Sequence, residues 1–241
     1  MGLARIRLTE VLRYLGYGGQ DLDPTLLARI EAGSQRCETE LEPRFVWHAF
    51  ALERHNGAFE VAGTTLVLRG ASMDAYLAGA TGVAVLAGTL GARSEATLRL
   101  LGATDPLAQL IYDAACTELI EWGADQTEAE IVAYARERAM ICGMRYGPGY
   151  GDLALDVQPV ILDVLQAPKR LGLTATSSNL LVPAKSITAV IGLYPTPETP
   201  EEEQGAPGHD LLGCDACALR ATCQIRARGL CCHRPRTAER S

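Results

Sequence analysis

Apolar residues along this chain change their spacing several times, and each change marks an element. Thr9 to Leu15 predicts a short helix, ended by the glycine-rich Gly16-Tyr17-Gly18-Gly19. Asp23-Pro24 places a capping acid before a proline at the first helical position. Behind it Leu26, Leu27, Ile30, Cys37 and Leu41 form a loosely helical stripe, which Pro43 closes. Phe45 to Phe50 and Phe59 to Val61 flank His55-Asn56-Gly57, where Asn-Gly predicts a tight hairpin turn. Thr64 to Leu68 reads as a further strand. Thr81 to Leu90 has almost no polar interruption, the pattern of a buried strand.

The middle of the chain turns helical. Asp105-Pro106 repeats the cap-plus-proline signature and predicts a helix to about Glu121. Thr127 with Glu130 reads as a capping box that opens a second helix to about Ala139. A glycine-rich turn at 147–151 follows, then a helix from about Leu153 to Leu165. Gly172 to Thr176 and Ser186 to Leu193 read as strands, the second opened by Pro183-Ala184-Lys185. Helices and strands mix without strict βαβ alternation, which predicts an α+β fold.

Composition shifts after Tyr194. Pro195, Pro197, Pro200 and Pro207 alternate with Glu198, Glu201, Glu202 and Glu203, which predicts a solvated linker over 195–213. The organisation expected is therefore a ligand-binding domain over 1–194, that acidic linker, and a cysteine-rich tail over 214–241. A length of 241 residues allows one good core plus a small appendage. Aromatic residues make up only 5%, so the core must rest on aliphatic side chains.

Charge and polarity exclude some function classes. A net charge of −7 argues against a nucleic-acid binder, which needs a basic face. The most apolar stretch, Gly79 to Leu90, is too short to span a bilayer, and Met1 to Arg7 has no apolar signal core. A cytoplasmic location is expected, where cysteines serve as thiols or metal ligands rather than disulfides.

The turn Arg145-Tyr146-Gly147-Pro148-Gly149-Tyr150 concentrates the candidate chemistry. Its glycines, with Gly151, let backbone approach a ligand, and Pro148 stiffens the middle. Arg145 brings a donor fork suited to a carboxylate. Tyr146 and Tyr150 bring flat faces for a purine or a cation. The spacing is neither a Rossmann nor a P-loop fingerprint. S-adenosylmethionine carries all three targets: a carboxylate, a purine and a sulfonium.

Arg145-x-x-x-Gly149-Tyr150 resembles the Arg-x-x-x-Gly-Tyr signature of the reactivation domain of cobalamin-dependent methionine synthase. The following stretch is similar too: Leu171 to Thr174, Ala175 to Pro183, then Lys185 to Gly192. Glu10 to Tyr17 and Thr89-Leu90-Gly91 look like free-standing members, so the resemblance covers roughly residues 5 to 193. It implies a twisted antiparallel sheet with flanking helices, and S-adenosylmethionine bound by Arg145, Tyr146, Gly147, Pro148, Gly149 and Tyr150. Departures are visible: Gly151 replaces the proline of the large enzymes, Ser177 replaces a glutamate, and the tandem tyrosine has only Tyr194 as a distant stand-in. The resemblance implies an acidic ligand contact near Gln109 or Asp113, with no choice between them.

The function implied is reductive remethylation of cobalamin on a separate corrinoid-binding methionine synthase or methyltransferase, with an electron donor. No cobalamin-binding Asp-x-His-x-x-Gly element occurs in the chain, so the corrinoid is expected on another protein. That chemistry needs positioning rather than a side-chain acid, base or nucleophile, so no catalytic residue is expected. His48 and His55 read as a strand residue and a turn residue.

In the tail, Cys214-x-x-Cys217-x5-Cys223 precedes Cys231-Cys232-His233. Cys214, Cys217, Cys223 and Cys232 are the candidate ligands for zinc or an iron–sulfur cluster, the latter a possible electron entry. Cys37, Cys116 and Cys142 read as core residues. Two other readings stand beside the first: a metal-bearing interaction module that has lost the ligand, and a conventional small-molecule methyltransferase, which the missing Rossmann fingerprint disfavours.

Overall fold

The computed structural model describes residues 5–196. The linker from 197 onward and the tail ligands Cys214, Cys217, Cys223 and Cys232 lie outside the described residues. Helices α1 (Leu8–Tyr14) and α2 (Pro24–Glu40) come first. The Asp23 carboxylate accepts the N–H groups of Thr25 at 2.7 Å and Leu26 at 3.3 Å, so the sequence-level cap forms as expected.

Strands β1 (Arg44–His55) and β2 (Ala58–Val61) make the hairpin. Asn56 and Gly57 both take positive φ, the conformation the Asn-Gly turn requires. The strand expected over Thr64 to Leu68 contracts to β3 (Val67–Leu68), because the Thr64 hydroxyl takes up a turn with Val61 and Leu66. Helix α3 (Ala71–Tyr76) leads to β4 (Gly82–Thr89), buried at every position as its apolar run demands.

Helices α4 (Ala92–Thr104) and α5 (Pro106–Arg136) follow. Here the sequence reading needs correction. No break falls between Glu121 and Thr127; α5 runs 31 residues without interruption. The Thr127 hydroxyl donates back to the Gly123 carbonyl at 2.9 Å, one turn earlier, instead of capping a new helix. Gly123 is tolerated mid-helix because the Phe45 ring and Pro43 pack where its side chain would stand. Packing against the sheet overrides the local capping pattern.

A short edge strand, β5 (Met140–Cys142), escaped the sequence reading, as did α3 and α4. The helix expected over Leu153 to Leu165 begins as a 3₁₀ turn and becomes α6 (Gln158–Val164). Then come α7 (Ala167–Leu171), β6 (Thr174–Ala175), β7 (Leu181–Val182) and β8 (Ser186–Pro195). Strands β6 and β7 form a separate small ribbon. The main sheet has the order β3-β2-β1-β4-β8-β5 and is antiparallel throughout.

Alternation along β4 and β8 sorts the core into two layers. Val83, Val85, Ala87 and Val190 face α3, α6 and α7. Ala84, Leu86, Ala189 and Ile191 face Ile131 and Ala135 of α5. A third apolar cluster joins α1, α2, α4 and the first half of α5. The architecture is the expected α+β one, a six-stranded antiparallel sheet between two helical layers.

Candidate functional site

The Arg145–Tyr150 turn leaves β5 along the free side of β8. Tyr146 N–H donates to Val190 O, and Val190 N–H returns the bond to Tyr146 O, each at 2.9 Å. This pair fixes the turn to the sheet edge. Tyr150 N–H then closes onto Gly147 O at 3.1 Å, and Gly149 N–H donates to Leu153 O at 2.7 Å. Gly149 has φ of +94°, which an L side chain rarely adopts. At Gly151 a side chain would collide with the Tyr146 and Ser72 hydroxyls, so glycine there allows the turn to pack on α3. The Asp152 carboxylate accepts the Ser72 N–H at 3.2 Å, tying the turn's exit to the start of that helix.

The six turn residues divide. Arg145, Gly147, Pro148 and Tyr150 line a cavity of about 280 Å³, together with Glu121, Gln158, Leu181 and Ser186 to Ala189. Gly149 supplies the bend rather than a wall. Tyr146 is buried, its ring 5.1 Å from that of Tyr76, and burial pushes its phenol pKa up. Its face is spent on the core, and its hydroxyl donates to Tyr150 O at 3.3 Å. Tyr150, by contrast, is 55% exposed at the cavity.

Arg145 is surrounded by acids from one stripe of α5. Its Nη2 donates to Asp125 at 2.8 Å and Glu121 at 3.3 Å, and its Nε lies 2.9 Å from Glu128. Its Nη1 is buried and has no hydrogen-bond partner among the described residues. Three carboxylates against one guanidinium leave this wall net negative. Burial raises the Glu128 carboxyl pKa, opposed by Arg145 and reinforced by Asp125 and Glu121. The same burial, with Glu128 nearby, pushes the half-buried Cys142 thiol up to about 11.

The opposite wall is a polar brace. Thr188 donates to Gln158 Oε1 at 3.0 Å, while Gln158 Nε2 donates to Asn179 O at 2.7 Å. The bonds join β8, α6 and the loop before β7. Ser177 is exposed on that loop and does not line the cavity. Tyr194, the stand-in for the tandem tyrosine, is buried with its hydroxyl on Tyr76 O. Neither Gln109 nor Asp113 reaches the cavity: Gln109 packs on Gly102, and Asp113 pairs with Lys185 at 2.9 Å. The α5 acid at the cavity is Glu121, two to three turns further along. Its signal in the sequence is the acidic spacing Glu121, Asp125, Glu128, one face of a helix. His48 and His55 lie on β1, both exposed and away from the cavity.

Among the described residues, no group of three or more His, Cys, Asp or Glu is arranged to hold a metal ion. No helix among them is long and apolar enough to cross a membrane.

No protein-family model matches this sequence, and no curated protein matches it. Among solved structures the chain is similar to the MetH reactivation domain bound to AdoHcy, with a TM-score of 0.64. The match covers 81% of this chain and 76% of that one, at 18% identity. At that identity the likeness establishes the fold: this chain has the fold of the MetH reactivation domain.

Proposed function

We propose that this chain binds S-adenosylmethionine in the cavity at the Arg145–Tyr150 turn and supports remethylation of a corrinoid held by a separate methionine synthase or methyltransferase. The observation that carries the reading is a coincidence of place. The turn that the sequence singles out, β8 and the acidic stripe of α5 meet at one cavity, in a fold whose solved counterpart is bound to AdoHcy. AdoHcy is what remains of S-adenosylmethionine once its methyl has left.

The lining fits the ligand in two respects. Arg145 lines the cavity and brings the guanidinium that suits a carboxylate. The net negative α5 wall, represented in the cavity by Glu121, suits the ammonium and sulfonium charges. Gly147 and Pro148 supply close backbone, and Tyr150 a face for the purine. When bound, S-adenosylmethionine would supply its sulfonium methyl to the partner's cobalt, itself reduced by one electron. The protein's part is to hold and orient, which requires no general acid or base.

Tyr150 lines the cavity and is 55% exposed, and Leu180 and Val182, the chain neighbours of the lining residue Leu181, are exposed at 55% and 39%. These exposed apolar side chains are the ones we assign to the corrinoid partner. Cys214, Cys217, Cys223 and Cys232 are the ligands we assign to a tail metal, zinc or an iron–sulfur cluster, of which only the cluster would serve as an electron entry.

Titration calorimetry with S-adenosylmethionine tests the central reading. Saturable binding at micromolar to low millimolar ligand is expected, and none at millimolar ligand sinks it. Metal analysis of anaerobically purified full-length protein tests the tail. Iron with inorganic sulfide and a brown colour supports the electron-entry role; colourless protein with stoichiometric zinc ends it.

One observation favours a second reading. Arg145 is held by three acids of α5, as a structural clamp would be. A protein that keeps the fold and has lost the ligand would return no heat in that titration.

A further inference from the structure

Two buried thiols lie outside everything used so far. Cys37 on α2 and Cys116 on α5 place their sulfur atoms 3.6 Å apart, both fully buried, though 79 residues separate them in sequence. They sit in the apolar seam where α2 packs on α5, beside Tyr112 and Leu119. Neither lines the ligand cavity, and Cys142, the other thiol among the described residues, lies on β5. A disulfide needs sulfurs about 2.05 Å apart, so only a modest approach separates this pair from a bond.

We propose that Cys37 and Cys116 form an oxidisable pair that closes to a disulfide and staples α2 to α5. Hydrogen peroxide is the oxidant class that fits, because the sulfurs are fully buried and a small oxidant needs the least opening of the helix seam to reach them. One thiol sulfur attacks a peroxide oxygen; the O–O bond breaks, water leaves, and that sulfur becomes a sulfenic acid. The second sulfur attacks the first, the S–O bond breaks, and a second water carries off the remaining protons. Two electrons pass from the sulfurs to one peroxide molecule. The contact with Cys37 and burial both raise the Cys116 thiol pKa, so little thiolate is present and closure is slow. Its consequence is mechanical. A long loop is closed, and the helix that carries the acids around Arg145 is tied to its neighbour.

The test uses the full chain, reduced, freed of reductant and incubated with peroxide, then denatured, alkylated, digested and mapped by mass spectrometry. A Cys37–Cys116 linked peptide that dithiothreitol releases is expected. The oxidised chain should also melt about 5–10 °C higher, from typical disulfide stabilisation in a chain of this size. Cys116→Ser, or Cys37→Ser if the first variant does not fold, should abolish that rise. Recovery of both cysteines as alkylated thiols, as sulfinic acids, or linked only to other cysteines overturns the proposal. The result is independent of whether S-adenosylmethionine binds.

Discussion

Arg145 is where three carboxylates of α5 converge. Its Nε and Nη2 serve Glu128, Asp125 and Glu121, and only Nη1 is left over. Arg145→Ala should weaken S-adenosylmethionine binding by about 1.5–3 kcal/mol, the range of a hydrogen bond to a charged group. An unchanged dissociation constant by calorimetry would remove Arg145 from the site. Glu128 offers a pH test. Burial raises its pKa above the ordinary 4.5, so the folded state binds its proton more tightly than the unfolded state does. Its ionisation therefore costs stability as pH rises through the window above 4.5. Glu128→Gln keeps an oxygen for Arg145 and removes the titration. The variant should melt higher than the parent at pH 7, with the gap closing as pH falls toward 4.5. A constant gap across that range would show that Glu128 does not titrate as its burial requires.

Helix α5 is the element on which the sequence reading and the structure part. Two capping signals are present, at Asp105-Pro106 and at Thr127 with Glu130, and only the first is used. A capping pattern is local, whereas helix continuation is set by what the helix packs against. Phe45 and Pro43 lie on α5 at Gly123, so the helix has a sheet to follow beyond the expected stop. Gly123→Val should cost about 2 kcal/mol or more, since a side chain would start 2.5 Å from Phe45 Cε2 and a β-branched residue also disfavours helix. Urea denaturation measures it, and parental stability would mean that α5 is free to lift from β1. The β1–β2 hairpin is the opposite case. Its Asn56-Gly57 turn carries its own backbone requirement, and so it was legible from sequence alone.

At the scale of the whole molecule, long-range pairing builds a cavity from parts that no short window contains. The turn from Arg145 to Tyr150 was visible as glycines, a guanidinium and aromatic rings. Glu121, Gln158 and Thr188 were not, because each is ordinary in its own element and meets the others only after folding. Tyr146 and Tyr150 show the same limit within one turn, for sequence gave them equal standing. The Tyr146–Val190 bridge turns the first into the core, and the chain reversal at 147–150 leaves the second at the cavity. By itself the sequence determined the α+β class, the caps at Asp23 and Asp105, the hairpin, the buried strand β4 and the position of the glycine-rich turn. All of these follow from local periodicity and backbone chemistry. Tertiary structure alone decided the unbroken run of α5, the acidic clamp on Arg145, the walls of the cavity and the contact between Cys37 and Cys116. Those depend on burial and on distances between residues far apart in the chain, which packing sets and no local preference encodes.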